Sequence, residues 1–148
     1  MNHTLFIMIG IPGSGKSTVA AQYSNAVIIS SDSIRKKMFG NESIQSRGDL
    51  VFAELRHNLV DSLRAGQSDI ILDAMNLRRR DRKQYINLAK KYNYQCVAIY
   101  CDTPLEIAIE HNAQRERHVP IDVIEQKYNA LQEPQKDEGF DDILIITH

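Results

Sequence analysis

The sequence predicts a single α/β domain built on a parallel sheet. Two observations predict it: five short apolar runs are spread along the 148 residues, and helical patterns lie between them. Runs that are apolar at nearly every position are typical of strands covered on both faces, and alternation with helices is typical of parallel sheets. Because a chain of this length accommodates one core, residues 1–148 are expected to form one domain.

The five strands are expected at 5–10, 26–30, 69–73, 95–101 and 142–147. Between the second and third runs, four side chains recur at helical spacing: Phe52, Leu55, Leu59 and Leu63. We expect this face to be buried, with the helix ending at Gly66. Residues 103–106, Thr-Pro-Leu-Glu, have the pattern of a capping box and predict the start of another helix.

Composition excludes several classes of protein. The net charge is −1 with 25% charged residues, which argues against nucleic-acid binding by bulk electrostatics but leaves room for a local basic patch. The apolar runs are too short to span a bilayer, so no membrane partner is expected. Cys96 and Cys101 lie an odd number of residues apart in one strand and should face opposite ways, which predicts buried, reduced thiols and a cytoplasmic protein.

Residues 10–17, GIPGSGKS, fit the phosphate-loop pattern between an apolar run and a helix-compatible segment. Glycines let backbone N–H groups approach phosphate oxygens, and the following helix N-terminus adds unpaired donors. Lys16 is expected to reach the β and γ phosphates, and the Ser17 hydroxyl to ligate Mg²⁺. The residues assigned to ATP are Gly10, Pro12, Gly13, Ser14, Gly15, Lys16, Ser17 and Thr18. The alternative is a glycine-rich turn that binds nothing.

The stretch 29–37, ISSDSIRKK, follows the second apolar run and predicts an acceptor site. Ligand sites of open parallel sheets gather at the carboxyl ends of the strands, where Asp32 and the phosphate loop both fall. Arg35 lies one turn further on the same face and could hold an acceptor's phosphate or the moving phosphoryl group. The plainer alternative is a helix start with Ser31 or Asp32 as the N-cap and Arg35 in solvent.

Two further groups follow the third apolar run. Asp73 ends it, either as a carboxylate holding a Mg²⁺-bound water or as a capping aspartate. Arg78, Arg79, Arg80 and Arg82 then form a basic run. Such a run is usually a solvated helix start, but here it falls near the same sheet edge and could contact a polyanionic acceptor.

The polar segment 111–120, HNAQRERHVP, is either a solvated loop or a mobile lid. It carries Arg115 and Arg117. An arginine closing over the β and γ phosphates would act as an arginine finger supplied in cis, which makes Arg115 a catalytic and ATP-binding candidate. The five histidines have no metal-ligand spacing and receive no role.

Several segments together resemble a known family. GIPGSGKST, SSDSIR, ILDAMNLRRRDR and HNAQRERHVPIDVIEQKY are similar, in this order, to the kinase module of phage and bacterial polynucleotide 5′-kinases. The tail DEGFDDILII resembles the last strand of a broader set of small phosphate-loop kinases. The resemblance implies a P-loop NTPase fold with five parallel strands in the order 2-3-1-4-5.

The resemblance also implies a reaction: transfer of the ATP γ-phosphate to a 5′-hydroxyl end of DNA or RNA, with Mg²⁺. Asp32 would be the general base, Arg35 would contact the acceptor's 3′-phosphate or the reaction centre, and Asn76 would bind the acceptor. Lys16 and Ser17 would hold the donor phosphates and Mg²⁺, and Arg115 would be the lid arginine.

The sequence departs from the family pattern at several positions. Ala74 stands where the phage pattern has an acceptor-side aspartate, and His111 stands where it has a second lid-side arginine. No D-x-D-G-T motif occurs, so a phosphatase or ligase acting on the same ends would be a separate partner. Two alternatives stay open: a kinase for a small hydroxylated metabolite or nucleoside, and a nucleotide-binding switch that transfers nothing.

Overall fold

The computed structural model describes residues 3–40, 47–115 and 119–147 and contains a five-stranded parallel sheet. The strands are β1 (Thr4–Ile9), β2 (Val27–Ser30), β3 (Ile70–Asp73), β4 (Gln95–Asp102) and β5 (Asp142–Thr147). Their order is β2-β3-β1-β4-β5, which confirms the predicted fold class and strand order. The first strand therefore lies at the centre of the sheet.

Helices occupy the connections between strands in the described part of the chain. They are α1 (Lys16–Ala20), α2 (Ser31–Phe39), α3 (Gly48–Ala65), α4 (Arg79–Lys91), α5 (Leu105–Ala113), α6 (Ile121–Ala130) and a 3₁₀ helix (Lys136–Glu138). The predicted stop of α3 is confirmed, since Gly66 follows it with a φ of 64°. None of these helices is both long enough and apolar enough to cross a membrane.

The two faces of the sheet are covered by different helices. On one face, α3 and α4 pack over the strands, and Leu55, Leu59 and Ile7 are fully buried there. On the other face, Met8 packs with Val19 of the short helix α1. Apolar burial of this kind contributes roughly 1.5–3 kcal/mol for each large side chain.

The two cysteines are buried on opposite faces of one strand, as the sequence predicts. Both are buried free thiols in β4. Cys96 belongs to the cluster under α3 and α4, and Cys101 belongs to the cluster on the opposite face. Burial raises the pKa of the Cys96 thiol to about 12, so this side chain stays protonated at neutral pH.

The prediction that all five strands are buried on both faces is wrong for the two edge strands. Ile28 of β2 is 46% exposed and Ile145 of β5 is 60% exposed. An edge strand has a neighbour on one side only, so less of its surface is covered by the sheet and its helices. Periodicity cannot reveal this, because the two runs are as apolar as the central ones.

Two predicted features around α5 also differ in the structure. The helix begins at Leu105 without a side-chain cap, so the capping box at 103–106 is wrong. Thr103 is buried instead, and its Oγ1 donates a hydrogen bond to the carbonyl of Ser14 at 3.3 Å. The polar segment that was expected to begin at 111 starts later, because His111 to Ala113 form the last turn of α5.

Candidate active site

The phosphate loop follows β1 at the carboxyl edge of the sheet. Gly13 and Gly15 have φ values of 82° and 86°, the left-handed region that glycine adopts at low cost. The loop is closed by a hydrogen bond from Ser14 N–H to Ile11 C=O at 3.2 Å. A Cβ on Gly13 would lie 2.3 Å from the carbonyl oxygen of Ala108, so the loop packs directly on α5.

We expect Gly13→Ala to lower ATP affinity more than tenfold. A side chain at this φ costs about 1–2 kcal/mol. The free loop can relieve this strain by leaving the conformation that binds ATP, so the cost falls on binding, and about 1.4 kcal/mol corresponds to a tenfold change in affinity. The contact with Ala108 would also push the loop from its place. Gly66→Ala is the matched control, because Gly66 has a φ of 64° but a Cβ there would lie no closer than 3.9 Å to its nearest neighbour, the carbonyl oxygen of Leu63. Calorimetric titration with ATP should separate the two variants, and equal affinities would contradict the prediction.

Gly10 has a different role from the other two glycines of the motif. It does not line the cleft above the loop, and its N–H donates to the carbonyl of Met75 at 3.1 Å. A Cβ at this position would lie 2.5 Å from Ser14 Oγ, which is buried and has no hydrogen-bond partner among the described residues. The absence of a side chain at Gly10 therefore makes room for Ser14.

Lys16 reaches across the loop that precedes it. Its Nζ donates a hydrogen bond to the carbonyl of Ile11 at 3.0 Å. Burial lowers the pKa of this ammonium, while the carboxylates of Asp73 and Asp32 oppose that shift. Lys16 is thus the cation next to two acidic groups of the same site.

Asp73 lies at the end of β3 and lines the same cleft as Ser17. Burial raises the pKa of its carboxyl group, Lys16 lowers it, and Asp32 raises it further. A carboxylate and a hydroxyl are hard oxygen ligands of the kind Mg²⁺ takes, usually with one or two protein ligands completed by phosphates and water. The described residues include no group of three or more His, Cys, Asp or Glu side chains able to hold a metal.

Asp32 and Arg35 lie on the first turns of α2. The N-cap of this helix is Ser30, whose Oγ accepts from Ser33 N–H at 3.3 Å, so capping by Ser31 or Asp32 is wrong. Arg35 is not in solvent either: its side chain is 10% exposed and its Nη1 lies 3.6 Å from Asp32 Oδ1. The two residues form an ion pair at the wall of the cleft.

One cleft of about 1190 Å³ brings the predicted groups together. Its lining includes Pro12 to Thr18 of the phosphate loop, Asp32, Arg35, Asp73, Asn76 and Arg115. It continues past them between α4 and α6, along Arg78, Gln84, Val123 and Lys127. Small-molecule pockets are usually about 300–1,000 Å³, so this cleft has room for a donor and an acceptor side by side.

Asn76 lines the cleft, but its side chain is directed at the backbone. The residue has a φ of 50°, and its Nδ2 donates to the carbonyl of Met8 at 2.8 Å and to that of Ala74 at 3.3 Å. The amide therefore ties the loop after β3 to the end of β1. Its predicted acceptor-binding role stays a prediction.

Arg82, on α4, is the residue of the basic run for which the sequence-based prediction is wrong. The basic run was expected on the surface near an acceptor, which is wrong for Arg82 because it is fully buried. Its Nε and Nη2 donate to the two carboxylate oxygens of Glu138 at 2.9 and 2.8 Å. Its Nη1 donates to the carbonyls of Asn76, Leu77 and Gln132 at 2.9–3.1 Å. No local signal could have found these contacts, since Glu138 lies 56 residues away.

Of the remaining arginines of the run, two lie on the surface and one lines the cleft. Arg79 pairs with Asp137 at 3.0 Å on the surface. Arg78 lines the cleft, and its contact with an acceptor stays a prediction. Arg80 is exposed, with its Nε 3.8 Å from Asp81 Oδ1.

The lid side of the cleft is anchored by α5. His111 Nδ1 lies 3.0 Å from the carbonyl oxygen of Gly13, which joins this helix to the phosphate loop. Asn112 is buried and its side chain bridges both backbone groups of Val119, at 2.7 and 3.0 Å. Arg115 lines the cleft, and its roles in ATP binding and catalysis stay predictions, whereas Arg117 lies outside the described residues.

A sequence family described as "AAA domain" matches residues 5–134 of this chain. The match runs from the first strand through the phosphate loop to the residues just after α6. The chain belongs to this family. Its strand order and loop also give this AAA domain the fold of phosphate-loop kinases.

Three relatives show what this AAA domain is similar to. The L-seryl-tRNA(Sec) kinase of Methanococcus maripaludis is 26% identical, over 97% of this chain and 59% of the relative. A protein of Acanthamoeba polyphaga mimivirus, provisionally assigned as a bifunctional polynucleotide phosphatase/kinase, is 32% identical, over 97% of this chain and 33% of the relative. A chain from the Pnkp1/Rnl/Hen1 RNA repair complex superposes with a TM-score of 0.76 at 24% identity, covering 88% of this chain and 44% of that one. The chain thus spans less than two thirds of each of these relatives.

Proposed function

We propose that this protein is an ATP- and Mg²⁺-dependent kinase that phosphorylates 5′-hydroxyl ends of DNA or RNA. One observation carries the proposal: a half-exposed carboxylate, Asp32, shares the cleft of the phosphate loop and lies 3.6 Å from a nearly buried arginine, Arg35. A phosphoryl donor site beside a carboxylate and a cation is the arrangement that transfer to a hydroxyl needs. A nucleotide switch has no use for the acceptor-side carboxylate.

The donor half of the site is the phosphate loop. Backbone N–H groups at 13–18 and the start of α1 would hold the ATP phosphates, with Lys16 on the β and γ groups. Mg²⁺ would bind Ser17 and, directly or through water, Asp73. When bound, the ion neutralises charge on the phosphates. The two glycines with positive φ fit this role, because a side chain on either would be strained.

In the transfer step, Asp32 takes the proton of the attacking hydroxyl. The hydroxyl oxygen bonds to the γ-phosphorus as the bond from that phosphorus to the β–γ bridging oxygen breaks, and ADP leaves with its electron pair. Arg35 on α2 and Arg115 after α5 both line the cleft, so they can bring positive charge to the acceptor's 3′-phosphate and to the moving phosphoryl group respectively.

The acceptor half of the cleft favours a nucleotide strand over a compact metabolite. Arg78 and Lys127 supply cations beyond the reaction centre, and Val119, Pro120 and Val123 supply an apolar wall. Phosphates and bases are the groups that such a mixture of cations and apolar surface accommodates. The likeness to a viral polynucleotide phosphatase/kinase and to an RNA repair chain supports the same acceptor.

The second candidate is a kinase for another hydroxyl, on a small metabolite, a nucleoside or an RNA-borne serine. The L-seryl-tRNA(Sec) kinase relative favours it, since 97% of this chain aligns with that enzyme. The donor chemistry and the roles of Lys16, Asp32 and Arg115 would be unchanged. Only the residues that bind the rest of the acceptor, outside the reaction centre at Asp32, would recognise a different molecule.

The deciding experiment is transfer from radiolabelled ATP to a short 5′-hydroxyl oligonucleotide. We expect label on that strand with Mg²⁺ present and none after chelation with EDTA. A 5′-phosphorylated copy serves as the control acceptor, and nucleosides, sugars and seryl-tRNA are tested alongside. Label on one of the latter instead would replace the acceptor, and ATP binding without any transfer would favour a switch.

Repair of a broken strand needs a phosphatase and a ligase besides a polynucleotide kinase. Such enzymes prepare the opposite 3′ end and join the two ends after phosphorylation. The mimivirus relative, named for both phosphatase and kinase, supports such a pairing. We therefore propose a phosphatase or a ligase as the functional partner.

A further inference from the structure

Phe52 is out of place for a core residue. The helical pattern predicted it on the buried face of α3, but Val51 occupies that position and is fully buried. Phe52 is 40% exposed, and its ring lines the cleft that holds the candidate active site. Exposure of an aromatic ring to water is unfavourable, so a ring that lines a cleft is available to pack against a ligand.

The ring continues a line of groups that begins at the phosphate loop. Lys16 and Asp32 line the same cleft, Asp32 lies 3.6 Å from Arg35, and the guanidinium carbon of Arg35 lies 5.8 Å from the centre of the Phe52 ring. The order along the cleft is therefore donor phosphate, base, cation, aromatic ring. An acceptor strand presents its groups in a matching order: hydroxyl, 3′-phosphate, next nucleotide.

Arg35 links the reaction centre to the ring. The residue is 9% exposed, and its Nε has no hydrogen-bond partner among the described residues. A buried guanidinium with an unused donor is costly unless a ligand supplies an acceptor. The guanidinium lies within cation–π distance of the ring, and its free donor is of the kind that binds a phosphate oxygen.

We propose that Phe52 stacks on the nucleobase of the second nucleotide of the acceptor and so sets the preference for oligonucleotide ends. This rests on the proposed function and names a determinant that the donor chemistry does not need. A nucleotide whose 3′-phosphate lies at Arg35 directs the following nucleotide to the ring. A base can stack there only when it is released from its own helix, so single-stranded or frayed ends are preferred to blunt duplex ends.

The test compares two acceptors that differ by one base. The first is a 5′-hydroxyl trinucleotide, and the second is the same molecule with an abasic second residue. For the unaltered protein we expect kcat/KM for the first to exceed that for the second by about 10-fold to 100-fold, the range that stacking of one base on an aromatic side chain supplies. Phe52→Ala should reduce this preference to less than about threefold, through a higher KM for the trinucleotide with its kcat nearly unchanged. Phe52→Tyr should retain the preference.

Leu50→Ala is the matched control. Leu50 lies on the same helix and is 41% exposed, but it does not line the cleft. This variant should keep the full preference, and thermal unfolding of all variants checks the fold. If the unaltered protein phosphorylates both acceptors equally, or if Phe52→Ala lowers both rates by the same factor, the inference is overturned while the proposed function stands. If no strand is phosphorylated at all, the proposed function fails and the inference fails with it.

Discussion

Replacing Asp32 by asparagine should lower kcat of phosphoryl transfer by about 10²–10⁴-fold while ATP binding stays nearly unchanged. The amide keeps the size of the side chain and its place at the start of α2 but cannot take the proton of the acceptor hydroxyl. Loss of a general base is felt in the chemical step, so kcat and kcat/KM should fall together. Single-turnover transfer to a 5′-hydroxyl strand, with ATP affinity measured separately, checks this.

Asp81→Asn is the control for that variant. Asp81 also lines the cleft, and its side chain is 52% exposed, the same as that of Asp32. It lies on α4, away from the phosphate loop, so its replacement should change kcat by no more than a few-fold. If both variants lose transfer equally, or if Asp32→Asn loses ATP affinity to the same degree as transfer, Asp32 is not the base.

Replacing Glu138 by alanine should lower the free energy of unfolding by about 3–5 kcal/mol. The carboxylate accepts two hydrogen bonds from Arg82, and both side chains are almost fully buried, at 4% and 0% exposure. Its removal leaves a buried guanidinium with no counter-charge, which costs much more than the pair contributes over an apolar substitute. Because domains are stable by about 5–15 kcal/mol, a loss of this size is a large share of the total.

The neighbouring pair provides the control for this prediction. Asp137 lies 3.0 Å from Arg79, with side chains that are 73% and 42% exposed. Solvent screens such a pair, so Asp137→Ala should cost no more than about 1 kcal/mol. Urea unfolding of the two variants measures the difference. Similar midpoints for both would mean that the buried pair contributes no more to stability than the surface pair.

The buried pair also bears on the site, because Arg82 holds the carbonyls of Asn76 and Leu77. These residues belong to the loop after β3, which lines the cleft on the side where we propose that the acceptor binds. Glu138→Ala should therefore disturb acceptor binding more than ATP binding, since the phosphate loop has its own anchors in Thr103 and His111. One guanidinium thus connects the buried pair with Glu138 to the backbone of the loop that lines the cleft.

The parts of this protein that the sequence determined by itself are those that depend on near neighbours along the chain. Apolar runs define the five strands, and glycines between a strand and a helix define the phosphate loop. Asp32 and Asp73 follow their strands directly, so the rule that ligand sites lie at the carboxyl ends of parallel strands brought them to one edge. A resemblance in four short segments then supplied the strand order.

Tertiary structure decided the partners that lie far apart in the sequence. Arg82 looked like part of a surface basic run until Glu138, 56 residues away, gave it a buried counter-charge. Thr103 looked like a helix cap but donates to Ser14, 89 residues away. Phe52 had the spacing of a core residue and faces the cleft instead. Local patterns report on about one helical turn or one strand pair, whereas which distant groups meet is set only when the whole chain packs.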